Sequence, residues 1–253
     1  MRAIILAAGQ GTRLRPLTDS RPKCLVELAG QPMVHWQLEV LSQAGISDVH
    51  LVGGYRSETL TDLPVTLHHN ARFEQTNMVH TLFCALEAMQ GDSDLLIAYG
   101  DIVYEPRVLA KVLACDAPVC VAADRAWHDY WLARMDDPLS DAESFRMDDN
   151  GRITELGRVP GSVEEVQAQY LGLIKVRKDR VQDFVQFWKG LEPNVSYAGE
   201  CRDTMYMTTF LQLLINGGWE VKAALTDNGW LEVDEPSDLQ LADSTFWRPT
   251  SRL

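Results

Sequence analysis

The chain has 253 residues, 46% of them hydrophobic and 23% charged, an ordinary globular composition with ample apolar material for a full core. A formal net charge of −13 at pH 7 repels phosphate backbones and disfavours a nucleic-acid partner, although a locally basic pocket still admits a nucleotide. Five cysteines in no zinc spacing point to reduced thiols. No apolar run approaches the ~20 residues that span a bilayer, and the first residues lack the charged region and cleavage site of a leader. The expectation is a cytoplasmic protein without membrane insertion.

Residues 1–8 (MRAIILAA) form a near-continuous apolar run, which predicts a buried parallel strand. A polar loop rich in Gly, Arg and Pro follows to Lys23. Pro32 opens a helix with apolar residues at helical spacing over 33–44, and Gly45 ends it. Residues 48–53 read as a second strand. Thr76 or Asn77 caps a helix running to about Met89. Residues 94–99 read as a third buried strand, ending at Gly100-Asp101. Strand 118–123 comes next, then a hairpin of 144–148 and 152–156 around Asp149-Asn150-Gly151. Strand 169–176, helices 177–189 and 203–216, strands 219–225 and 229–233, and a short helix from Pro236 complete the pass. This alternation predicts an α/β fold: a Rossmann-like, mostly parallel mixed sheet flanked by helices, with an inserted substrate-facing subregion.

The strongest chemical signal is LAAGQGTRLRPLTDSRPK over residues 6–23. A buried strand delivers a glycine-rich turn at its C-terminal end, where ligands sit in open α/β sheets. Gly9 and Gly11 let main-chain amides approach a triphosphate, and Arg13 and Lys23 bring fixed positive charge. The glycine spacing fits neither a dinucleotide-binding turn nor a Walker A loop. Two further signals are carboxylates. Asp101 follows Gly100 at a strand end, and Glu232 and Asp234 alternate along a strand and share one face. Two like charges on one face are either solvated or separated by a cation.

The 6–23 run resembles the sugar-phosphate nucleotidyltransferase family, whose first strand and loop read L-A-A-G-x-G-x-R-L-x-P-L-T followed by P-K. Within that family the chain is most similar to the phosphocholine cytidylyltransferase branch, which acts on phosphocholine, aminoethylphosphonate and related phosphorylated amino compounds. The resemblance extends over nearly the whole chain. It includes Asn77-Met78 with Thr81, the strand Gln169-Tyr170-Leu171-Gly172-Leu173, and Trp230-Leu231-Glu232-Val233-Asp234. It implies CMP transfer from CTP to a small phosphate- or phosphonate-bearing acceptor, with release of pyrophosphate. Arg13, Lys23, Asp101 and Asp234 become the expected catalytic residues. Leu6, Ala7, Ala8, Gly9, Gly11, Thr12, Arg13, Lys23, Asn77 and Thr81 become the expected nucleotide contacts. Mg²⁺ is the implied cofactor, held by Asp101 and Asp234 with Glu232 as a direct or outer ligand. On this reading residues 1–253 are one domain, with a nucleotide-binding core at about 1–123 and 201–253 and an acceptor-facing insertion at about 124–200.

The acceptor pocket is expected from Trp127-His128-Asp129-Tyr130-Trp131, with Arg134 and Asp141-Ala142-Glu143 after it. Aromatic faces beside carboxylates suit an ammonium group, while the bland alternative is that the two tryptophans pack the core. Trp127, Asp129, Trp131, Glu143 and Tyr170 are the pocket candidates, together with Asp101; Tyr206 is a further one. Family members often place a Lys on the acceptor phosphate before the middle strand. Here Arg158 stands in its place and binds phosphate bidentately. Two alternatives stay open: a sugar 1-phosphate acceptor, and a nucleotide-binding regulatory module without chemistry. A homo-oligomer is also left open.

Overall fold

The computed structural model describes residues 1–249. The chain opens with β1 (Arg2–Ala7), a small hairpin of β2 (Glu27–Leu28) and β3 (Gln31–Pro32), helix α1 (Met33–Gln43) and β4 (Asp48–Gly53). Then come β5 (Thr66–His69), α2 (Met78–Phe83), β6 (Leu95–Tyr99), β7 (Ile102–Tyr104), α3 (Pro106–Ala114) and β8 (Val119–Asp124). The second half holds α4 (Trp127–Arg134), β9 (Phe145–Met147), β10 (Ile153–Leu156), β11 (Gln169–Val176), α5 (Val181–Gly190), α6 (Met207–Asn216), β12 (Val221–Thr226) and β13 (Trp230–Glu232).

Seven strands form one sheet in the order β12-β8-β11-β6-β1-β4-β5. Every pairing is parallel except those of β11, which runs antiparallel to both β6 and β8. The segment 124–200, expected as an insertion, therefore sends a strand into the middle of the sheet. All eight residues of β11 are buried, as befits a strand covered on both faces.

Alternation along β1 divides the core. Ala3, Ile5 and Ala7 face a cluster with α1, α3 and the aromatic residues of α4, whereas Ile4 and Leu6 face one with α2, α5 and α6. No helix among the described residues is long and apolar enough to cross a membrane.

Two helices begin or end short of expectation. The helix capped at Asn77 stops at Phe83 and tightens into a 3₁₀ turn over Leu86–Met89, which keeps Ala85, Ala88 and Met89 buried. The expected helix 203–216 starts at Met207, because Asp203 is engaged elsewhere: its carbonyl accepts from the Asn77 amide at 2.9 Å. Strand β7 and helix α3, with Pro106 in its first turn, were not anticipated.

Candidate active site

The ends of β1 and β6 and the start of the antiparallel β11 converge at one edge of the sheet. Gly100 makes this convergence possible. Its amide donates to Leu6 O at 2.8 Å, and a Cβ there would lie 2.7 Å from the same oxygen. The chain can thus turn tightly against β1 and deliver Asp101 beyond it. Gly172 plays the matching part in β11: at φ +77 its position lies against the Tyr99 ring, which a Cβ would meet at 2.5 Å. The ladder with β8 slips between Tyr170 and Ile174, next to this contact.

Two cavities open along this edge and share Met78, Tyr99 and Asp101. The first, about 140 Å³, is lined by Leu6, Ala8, Gly9, Asn77 and Thr81 among others. The second, about 290 Å³, is lined by Arg13, Trp131, Asp141, Glu143 and Tyr170 among others. At their junction Lys23 Nζ lies 2.8 Å from Asp101 Oδ2 and 2.5 Å from Asp234 Oδ1. Arg13 reaches the same Asp234 oxygen at 3.0 Å. Burial works against the Lys23 charge, but Asp101, Asp234 and Glu232 outweigh it and raise its pKa. Burial and the neighbouring Asp234 push the Glu232 carboxyl above the ordinary range. Burial raises Asp234 too, but Lys23 and Arg13 prevail and hold it low.

Strand pairing brings these carboxylates together. Glu232 of β13 lies opposite Ile102 of β7, and the Val233 amide donates to Asp101 O at 3.0 Å. One carboxylate oxygen each from Asp101, Glu232 and Asp234 falls within a span of 4.8 Å. Asp101 Oδ1 is buried without a hydrogen-bond partner among the described residues, an open acceptor in an all-oxygen donor set. Such a set suits a hard divalent cation such as Mg²⁺.

Arg134, placed in the sequence beside the aromatic cluster of the acceptor pocket, instead anchors the carboxylates. It is 4% exposed and reaches Glu232 and Asp234 at 3.2 Å and Asp238 at 3.1 Å. Its guanidinium also lies over the Tyr130 and Trp131 rings. Helical spacing from Tyr130 and the four-residue step from Asp234 to Asp238 were visible in the sequence, but their meeting depends on the packing of α4 against β13.

The remaining candidates divide. Trp131, Glu143 and Tyr170 line the larger cavity. Glu143 is half-buried, and the desolvation pushes its carboxyl up to about 7 although Thr208 Oγ1 donates to it at 3.1 Å. Trp127 does not reach the cavity: it is 3% exposed, and its indole nitrogen donates to Val166 O inside the core. Asp129 lies on the exposed side of α4. Arg158 is 75% exposed and pairs with Glu155 at 3.5 Å, outside both cavities. The packing reading therefore describes Trp127, and the pocket candidates narrow to Trp131, Glu143, Tyr170 and Tyr206 beside Asp101. Of the 6–23 run, Leu6, Ala8 and Gly9 line the smaller cavity, while Ala7 packs on the opposite face against Gly100. Gly11 is left-handed at φ 65 and starts the 3₁₀ turn that carries Arg13, while Thr12 is exposed. Asp141 and Gln169, named in the sequence only beside other candidates, also line the larger cavity, and Thr208 lines it without a recognisable signal in the sequence.

Comparison with known proteins agrees with this architecture. The family model described as a MobA-like NTP transferase domain matches residues 3–154. The chain is 38% identical over 250 residues to the CTP:phosphoglutamine cytidylyltransferase of Campylobacter jejuni, covering 95% of this chain and 98% of that one. It is 29% identical over 264 residues to the CMP-5'-(3-aminopropyl)phosphonate synthase of Streptomyces rubellomurinus, covering 98% of this chain but 39% of that longer protein. The structure of the CTP:phosphocholine cytidylyltransferase of Streptococcus pneumoniae shares the fold, with a TM-score of 0.69 at 20% identity over 94% of this chain and 96% of that one. With the family model spanning more than half of a chain whose strand-and-loop run leads into paired cavities, this protein belongs to the MobA-like NTP transferase domain family and is a nucleotidyltransferase.

Proposed function

We propose that the chain transfers CMP from CTP to a small phosphate- or phosphonate-bearing acceptor that carries an ammonium group, and releases pyrophosphate. The observation that carries this reading is the pair of adjoining cavities meeting at Asp101, with Lys23 and Arg13 at the seam. The smaller cavity is bounded by β1, the glycine turn and the start of α2, which suits a nucleotide approached by main-chain groups. The larger holds Glu143 and Asp141 beside Trp131, Tyr99 and Tyr170, which suits a cationic head group. The relatives whose names specify cytidine nucleotides and amino-bearing phosphates or phosphonates support the choice of base and acceptor.

In the reaction an acceptor oxygen forms a bond to the α-phosphorus, and the bond from that phosphorus to the pyrophosphate oxygen breaks. The attacking oxygen is already anionic, so no general base is needed. Catalysis then rests on positioning two anions and on neutralising the charge that develops between them. Lys23 and Arg13 supply positive charge for the triphosphate and the departing pyrophosphate. Asp101, Asp234 and Glu232 would hold Mg²⁺, which when bound supplies Lewis-acid stabilisation of phosphoryl oxygens. Arg134 keeps Glu232 and Asp234 in place.

The test is pyrophosphate release with Mg²⁺, crossing CTP, UTP, dTTP, ATP and GTP against phosphocholine, aminoethylphosphonate, phosphorylated amino acids and amides, glycerol phosphate and sugar 1-phosphates. Turnover with CTP and an amino-bearing acceptor is the expected result. Turnover confined to sugar 1-phosphates would keep the transfer chemistry and overturn the head-group assignment.

A further inference from the structure

One residue outside both cavities joins their walls. The nucleotide-side wall is the loop 70–77, which contributes Phe73, Thr76 and Asn77 to the smaller cavity. Asn70, 1% exposed, organises it. The Asn70 amide donates to Gly53 O at the end of β4 at 2.8 Å, and its Nδ2 donates to Thr76 and Thr81 hydroxyls at 3.0 Å. The acceptor-side wall includes Tyr206 and Thr208, the latter bonded to Glu143. Between the two stands Asp203. Its Oδ2 accepts from Arg72 at 2.8 Å, its Oδ1 faces His80 Nδ1 at 3.3 Å, and its carbonyl accepts from the amide of Asn77, the cap of α2.

The link from Asp203 to the acceptor wall is short and internally tied. Thr204 turns back on Cys201 at 3.1 Å, and the Tyr206 amide donates to Glu200 Oε2 at 2.9 Å. Tyr206 then starts α6, whose second residue is Thr208. No slack chain separates the carboxylate holding Arg72 from the hydroxyl holding Glu143. The two walls are thus tied through one bonded stretch, the arrangement in which two sites that bias a shared element become coupled in affinity.

We propose that Asp203 is a positioning residue that couples the two substrate cavities, so that occupancy of either strengthens binding at the other. The proposal rests on the transferase reading for the identity of the two ligands. Because Arg72 is half exposed, loss of this charged partner weakens each linked equilibrium by only about two- to fivefold.

The experiment uses the full chain and two variants, Asp203→Asn and, from the other side of the strap, Arg72→Gln. Calorimetric titration with a non-hydrolysable CTP analogue, with and without phosphocholine or aminoethylphosphonate, reads the coupling without turnover. Steady-state kinetics read KM and kcat for the pair that wild type turns over. In wild type, the acceptor is expected to tighten analogue binding several-fold. In both variants that tightening is lost and the nucleotide KM rises about two- to fivefold, with kcat within about twofold of wild type and the melting profile retained. Coupling that persists in Asp203→Asn, or a fall in kcat with an unchanged nucleotide KM, overturns the proposal. So does a wild type whose analogue affinity ignores the acceptor. A wild type that turns over only another nucleotide or acceptor overturns the transferase reading instead, and the same titration with that pair still decides the coupling.

Discussion

The two cavities differ in what they are made from. On one side the smaller is walled by the end of β1 and its glycine turn, with Leu6, Ala8 and Gly9, and on the other by Phe73, Thr76, Asn77 and Thr81 around the start of α2. The larger is walled by side chains of distinct chemistry from separate parts of the chain, including Trp131, Asp141, Glu143, Gln169 and Thr208. The β1 side of the smaller cavity is specified by a contiguous motif and changes little when the ligand's far end changes. A wall of side chains is specified residue by residue and can be retargeted by substitution. Asp101, which Lys23 contacts, lines both cavities.

Substitutions at the seam test this division most severely. Asp101→Asn or Asp234→Asn is expected to cost about 10²–10³-fold in kcat with the fold retained, checked by turnover beside circular dichroism. Normal turnover in a folded variant would remove both from the site. Lys23→Ala is expected to lower kcat/KM by at least about 100-fold. It also leaves two partly buried carboxylates facing one another, so its Tm should fall as well. A loss of turnover below tenfold would reduce Lys23 to a binding group.

Glu143→Gln separates the cavities. It should raise the acceptor KM about tenfold and leave the nucleotide KM within about twofold. The pH dependence is specific. Burial holds the Glu143 carboxyl at about 7, so its carboxylate forms as pH rises through that value. The acceptor KM of wild type should then fall as pH rises from 6 to 8, roughly, beyond any change seen in Glu143→Gln. The stability sign is opposite. The folded chain holds this proton more tightly than the unfolded one, so Glu143 removes stability as pH climbs from the ordinary carboxylate range through 7. Gly100→Ala tests the backbone wall itself. Its Cβ would press on Leu6 O, with an expected loss of about 1–3 kcal/mol in denaturant unfolding. The smallest effect is expected from Arg158→Ala. The exposed guanidinium should change the acceptor KM by less than about twofold, and a tenfold rise would return Arg158 to the acceptor phosphate.

The same contrast explains what could be read from the sequence. Strands β1, β4 and β11 were legible because buried parallel or central strands are continuous apolar runs bounded by turn residues. The 6–23 run was legible because backbone geometry demands particular residues in order. Asp234 and Glu232 were legible from their alternation beside Trp230. Thr208 was not, and Arg134 and Asp141 were named only as neighbours of the aromatic cluster, because their meeting is a product of how α4, the 138–144 turn and α6 pack around the sheet. Arg158 and Asp129 were misplaced for the same reason: a residue type suited to a ligand says nothing of the side on which its element faces solvent. Trp127 and Trp131 show the limit in miniature. Four residues apart on one helix, one lines the cavity and the other reaches into the core toward Val166.

The reversed direction of β11 has a consequence for how such a protein can be remodelled. In a uniformly parallel sheet every loop at the working edge follows a strand, so each change there is anchored to the strand before it. Because β11 alone runs the other way, the chain arriving at that edge ahead of Gln169 is upstream of its strand. The stretch from Asp141 to Ala168 is thus a cassette with the hairpin β9–β10 at its centre, entering and leaving on the acceptor side. Its first residues Asp141 and Glu143 line the larger cavity, while Phe145, Ile153 and Leu156 pack in the same core cluster as Ile4 and Leu6 of β1, so an exchange between relatives would have to carry that packing with it.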